Sequence, residues 1–190
     1  LVPQMNEACW LLSDDVASVE EIDSTTKYNM GLPMGSFELA DMTGLDISYH
    51  VLDYMHDELG DEYEPAPSLA EKVENENLGQ KTGAGFYDYE DGDGADIPTD
   101  AYSEEVEERL TAALAKEIAN LVGNEVAPPE DIDKAVMMGA GFPEGPCKTV
   151  DEFGVQKCLD KLETLYEETG AARYKPPEYL EEAAEQGGFY

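Results

Sequence analysis

The chain has 190 residues, 42% of them apolar, and carries 44 acidic against 11 basic side chains for a formal net charge of −33. Its 11 Tyr and 5 Phe argue against a disordered polymer, which is poor in such residues. The shortage of cations argues against a nucleic-acid or anionic-membrane partner, since both are held by Lys and Arg. The acids run along the whole chain instead of gathering on one face, which speaks against a nucleic-acid mimic. They fit a solvated surface adapted to a salt-rich cytosol, where screening shrinks to a few ångström. Cys9, Cys147 and Cys158 show no CxxC spacing and are expected as reduced, buried thiols of a cytoplasmic protein. No signal peptide or membrane-length apolar run is visible.

The first residues, to about Leu12, have the spacing of a helix, with Met5, Cys9 and Leu12 on one stripe. The chain starts at Leu1 in helical phase, which suggests an excised domain. Ser18 with Glu21 is a capping-box pair, predicting a helix to about Asn29. Gly31 to Gly35 interrupt it. A short helix follows from Ser36 to Thr43, ended by Gly44. A longer one from Asp46 stops at Gly60, with Leu52, Met55 and Leu59 turned inward. A proline turn leads to a helix from Ser68, with Leu69 and Val73 inward. GQKTGAGFYDY, residues 79–89, is a Gly-rich loop running into a short extended aromatic stretch.

Residues 90–103 are acidic and unperiodic and read as a linker. Beyond them Val106, Leu110, Ala113, Leu114, Ile118 and Leu121 mark one apolar stripe. Pro128 and Pro129 open the next helix. Residues 139–145 form a second Gly-Pro break. Val155, Cys158, Leu159, Leu162 and Leu165 lie on a long helix closed by Gly170.

The second half repeats the first. Asp23 corresponds to Asp133, Gly31 to Gly141, Pro33 to Pro143, Gly35 to Gly145, Asp41 to Asp151 and Gly44 to Gly154, at a constant offset of 110 residues. The terminal GGFY echoes GAGFY at 83–87. A period this long points to two related domains, not a solenoid. The expectation is an all-α protein of two five-helix units, residues 1–89 and 104–190, packed as a pseudo-twofold pair.

Self-sufficient chemistry is hard to find. GQKTG lacks the adjacent Gly-Lys of a phosphate loop and has no strand before it. Asp91, Asp93 and Asp96 miss calcium-loop ligands, because Ala95 and Tyr102 stand where oxygens are required. His50 and His56 lie six residues apart, on different faces of one helix. No nucleophile elbow is present. No catalytic or metal-binding residue is therefore assigned.

The strings LVPQMNEA, IDSTTKYNMGLPMGSFELADMTGLD and LGQKTGAGFYDY resemble, in order and spacing, the C-terminal domain of the 3-hydroxyacyl-CoA dehydrogenase family. The resemblance is strong over residues 1–89, and residues 104–190 resemble a divergent second copy. It implies the helical portion of an enzyme of fatty-acid β-oxidation that oxidises (S)-3-hydroxyacyl-CoA to 3-oxoacyl-CoA. NAD and the catalytic His–Glu pair would belong to a Rossmann domain absent from this chain. The helical portion would close over the acyl-CoA and mediate a homodimer, and alone it would be inactive. The loop matching the family pattern makes Pro33, Met34, Gly35 and Phe37 candidates for the substrate cleft. Gly35 and Met34 could equally serve packing alone. In the second copy Glu144 and Cys147 replace Met34 and Phe37, which implies a structural role there. The rival expectation is a stand-alone, non-catalytic helical assembly module.

Overall fold

The computed structural model describes residues 1–89, 91 and 94–190, and the described secondary structure is helical apart from the isolated bridges Gly79–Ala84 and Ala84–Asp88. Two compact units are present, Leu1–Glu107 and Glu108–Tyr190.

In the first unit α1 is Val2–Ser13, α2 Val19–Ser24, α3 Ser36–Thr43, α4 Leu45–Leu59 and α5 Pro67–Glu74. The Ser18–Glu21 box forms in both directions, with Ser18 Oγ accepting from the Glu21 amide at 3.2 Å and Glu21 Oε2 from the Ser18 amide at 2.8 Å. The helix it starts reaches Asn29, but its last turn, Thr25–Asn29, is wound as a π-helix. Periodicity did not foresee this turn.

Cys9, Leu11, Ile22, Phe37, Leu45, Leu52 and Leu69 are fully buried and form the centre of this unit. Each such side chain contributes about 2 kcal/mol by leaving water. Three of the expected inward residues differ, Val73 being half-buried. Met55 is only half-buried, and Leu59 is 62% exposed because it lies in the last turn of α4, beyond the reach of the core.

Buried Asn6 on α1 fixes the proline turn before α5. Its Nδ2 donates to the Glu64 carbonyl and its Oδ1 accepts from the Ala66 amide, both at 2.9 Å. Ser68 Oγ donates back to the Cys9 carbonyl at 2.7 Å.

The stretch read as a linker is partly tied down. Ile97 is buried, the Ala101 amide donates to Ser24 Oγ at 3.2 Å, and the Ser103 amide to Thr25 Oγ1 at 3.0 Å. Residues 90, 92 and 93, including the Asp93 of the calcium-like run, lie outside the described residues.

Helix α6, Glu104–Gly123, crosses the boundary between the units. In the second unit follow α7 Pro129–Ala140, α8 Pro146–Phe153, α9 Val155–Thr169 and α10 Glu178–Gln186. Ile118, Ile132, Val150, Cys158, Leu162, Tyr174, Leu180 and Phe189 form one apolar cluster. Leu121, expected on the α6 stripe, is 37% exposed near the helix end. By contrast Arg109 and Lys116 are buried on α6. Arg109 bonds the Tyr174 hydroxyl, and Lys116 Nζ donates to the Arg173 carbonyl at 3.1 Å. Buried cations need such partners, because an unpaired one is very costly. The three cysteines are free and buried. Burial pushes the Cys158 thiol up to about 12 and raises Cys9 and Cys147 further, so none is a reactive thiolate.

Candidate functional site

The cleft candidates Pro33, Met34, Gly35 and Phe37 sit on the loop between α2 and α3 and in the first turn of α3. Its anchor is Asp23, buried on α2. Asp23 Oδ1 accepts the Phe37 amide at 2.7 Å, and Oδ2 accepts the Glu38 amide at 2.9 Å and the Tyr87 hydroxyl at 3.0 Å. The carboxylate thus caps the free amides at the start of α3. Gly35 is required for this approach, because a Cβ there would lie 2.4 Å from Asp23 Cγ.

One helix later Asp41 does the same for the Gly-rich tail. It accepts the Phe86 amide at 3.0 Å, the Tyr87 amide at 2.9 Å and the Tyr89 hydroxyl at 3.1 Å. A Cβ on Gly85 would sit 2.1 Å from Asp41 Oδ1. The glycines and aromatics of GAGFYDY therefore close the unit through one buried acid, not through phosphate binding.

The loop residues divide accordingly. Phe37 is fully buried and packs at a tilt against Phe86 with ring centroids 4.0 Å apart. It does not line an open cleft as expected, because it fills the core beneath the loop. Gly35 is buried under Asp23. Pro33 is exposed and Met34 half-buried, so these two present the loop to the surface. Lys27, on the π-turn, bridges to α3 through Glu38 at 2.8 Å, and Glu38 Oε2 also accepts the Gly35 amide at 3.1 Å.

The second unit repeats the anchors. Asp133 accepts the Cys147 amide at 2.7 Å and the Tyr190 hydroxyl at 2.9 Å. Asp151 accepts the Phe189 amide at 2.8 Å and the Tyr190 amide at 3.2 Å. Here the α7–α8 loop borders an open groove of about 500 Å³.

Burial drives the Asp23 carboxyl up to about 6 against the pull of its three donors. Burial also raises Asp41, opposed by the amides of Tyr87 and Phe86. A raised acid in a cleft suggests proton transfer. Here both carboxylates are occupied by the donors they hold, so they organise the fold and have no reach toward a substrate. The histidines act locally. His50 Nδ1 lies 2.6 Å from the Asp46 carbonyl and His56 Nε2 lies 3.3 Å from Asp61 Oδ1. Among the described residues no cluster of His, Cys, Asp or Glu is arranged to hold a metal ion, and no helix is long and apolar enough to cross a membrane.

The aspartates are the residues that sequence reasoning underused. They stood out as repeated positions, and the signal for their role was the pairing of each with a glycine that a Cβ would turn into a clash.

The family profile described as 3-hydroxyacyl-CoA dehydrogenase, C-terminal domain, matches residues 1–89 and again 106–189. A probable 3-hydroxybutyryl-CoA dehydrogenase of Bacillus subtilis is 44% identical over 92 residues, covering 48% of this chain and 32% of its own length. A fatty acid oxidation complex subunit alpha of Idiomarina loihiensis is 31% identical over 208 residues, covering all of this chain and 29% of its own length. The chain thus spans about a third of the curated relatives it matches. The crystal structure of 3-hydroxybutyryl-CoA dehydrogenase from Escherichia coli superposes with a TM-score of 0.84 over 97% of this chain and 58% of that one, at 21% identity, and so supports the fold.

Proposed function

We propose that this chain, which belongs to the family of 3-hydroxyacyl-CoA dehydrogenase C-terminal domains, is the helical, substrate-side portion of an NAD-dependent 3-hydroxyacyl-CoA dehydrogenase. The observation that carries the reading is the Asp23–Gly35 anchor. It holds the family's loop signature in one conformation and leaves Pro33 and Met34 at the surface. Those two residues would contact the acyl chain, while Gly35 and Phe37 position them from behind.

The described residues do not fit NAD. They contain no parallel sheet and no Gly-rich strand-to-helix turn, so a dinucleotide has no platform here. The nicotinamide would take hydride from C3 of the substrate on another domain, which would also supply the base. This chain would orient the acyl chain and exclude water. Two tandem copies, a homodimer of the parent enzyme and a salt-rich cytoplasm complete the proposal, supported by the repeated anchors and the acidic composition.

The test is direct. In molar KCl the purified chain, given NAD and 3-hydroxybutyryl-CoA, is expected to form no NADH. NADH accumulating in proportion to the chain would overturn the assignment.

A further inference from the structure

The loop before α8 in the second unit differs from its counterpart in the first by a swap of charges. In the first unit the Glu38 carboxylate bridges Lys27 Nζ at 2.8 Å and the Gly35 amide at 3.1 Å. At the same offset of 110 residues these positions are Met137 and Lys148. The bridging carboxylate is gone, and a cation stands in its place. Gly145 is buried in the groove wall, and among the described residues its amide donates to no protein acceptor. An amide facing the groove can donate to an acceptor that enters it.

The rest of the lining is suited to a chain of CH₂ groups. Met137 and Met138 flank the space, and Met adapts to irregular apolar partners. The Tyr190 ring is fixed there by its hydroxyl bond to Asp133. Lys134 and Lys148 are exposed at the groove, and no ion pair to either is seen among the described residues. Most other cations of this acidic chain are engaged: Lys27, Lys81, Lys157 and Lys161 in ion pairs and Lys116 with a carbonyl. Glu130 and Glu144, also on the lining, are exposed and keep their carboxylates in water. Asp133 is occupied by its own donors. A volume of about 500 Å³ lies within the range of small-molecule sites.

The geometry points to a binding site for an aliphatic carboxylate in the α7–α8 groove. Its head takes the place that the Glu38 side chain occupies in the first unit, against the Gly145 amide and Lys148. Its chain lies along Met137, Met138 and Tyr190. Lys134 adds a second cation at the mouth. The site is separate from the loop of Pro33 and Met34 and stands whether or not the dehydrogenase reading holds.

Octanoate is the probe, titrated into the full chain in molar KCl and followed by calorimetry and NMR. Saturable binding of one octanoate per chain is expected, shifting the Met137 and Met138 methyls and the Gly145 amide. Octanol should bind at least about tenfold more weakly, about 1.4 kcal/mol. Met137→Lys with Lys148→Glu rebuilds the ion pair of the first unit and should abolish binding with the melting temperature unchanged. Lys148→Gln, the milder change, should weaken binding about tenfold. The proposal is overturned if octanoate does not saturate, if octanol binds equally well, if the shifts fall elsewhere, or if a folded Lys148→Gln variant binds as the parent does.

Discussion

Asp23→Ala is expected to lower the stability of the chain by about 3–5 kcal/mol, measured by thermal unfolding in molar KCl. The substitution strands three donors, the amides of Phe37 and Glu38 and the Tyr87 hydroxyl, around a buried carboxylate. Each stranded group costs about 1–3 kcal/mol, and the cap of α3 is lost as well. Against this stands the relief of no longer burying a carboxylate, which keeps the total below the simple sum. Such a loss is a large part of the 5–15 kcal/mol typical of a domain.

Acidity separates this account from a generic core defect. The folded carboxyl titrates at about 6, above its ordinary value of 3.8, so the native state takes up a proton more readily than the unfolded one. Stability should therefore rise as pH falls from about 7 to about 5, and be lost again as pH climbs through the folded value. Asp41 is shifted the same way and adds to the trend. Asp23→Asn should flatten the dependence. A parent chain that weakens on mild acidification would show that the donors, not burial, dominate.

Removing salt should have the other large effect. With 44 acids against 11 bases, self-repulsion grows as the screening length lengthens from about 3 Å at 1 M to about 30 Å at 0.01 M salt. Ion pairing offers little relief. Lys27–Glu38, Lys81–Asp46 and the pair of Lys157 and Lys161 on Glu108 are such pairs, but 11 bases are too few to neutralise 44 acids. Exposed pairs contribute at most about 1 kcal/mol each. Dialysis from molar KCl to near-zero salt is expected to cost about 5 kcal/mol or more, seen as a fall in melting temperature of ~10–20 °C or outright unfolding. A melting temperature unchanged by salt would remove the halophilic reading.

Much of the helical order was legible because its signals are local. The Ser18–Glu21 box and the glycines at 44, 60 and 170 place helix ends through backbone chemistry alone. The face of a stripe was legible too, as Leu52, Leu69 and Leu162 show. Partners were not, since periodicity reports which side is buried and never against what. The family resemblance, which suggests Phe37 for the cleft, is equally silent on Phe86, far along the chain, which packs against it. The burial of Arg109 and Lys116 has the same origin, because each depends on groups distant in sequence. The repeat exposed Asp23, Asp41, Asp133 and Asp151 as positions, but only coordinates could show them accepting amides.

The central claim is that this chain shapes the substrate side of a dehydrogenase whose redox chemistry lies on another domain. The most direct measurement joins the chain to the NAD-binding domain of a 3-hydroxybutyryl-CoA dehydrogenase and follows NADH formation from 3-hydroxybutyryl-CoA, in salt that keeps both parts folded. The prediction is turnover by the fusion and none by either part alone, with Met34→Glu lowering kcat/KM at least about tenfold. A folded fusion that makes no NADH, or one indifferent to residue 34, would contradict it.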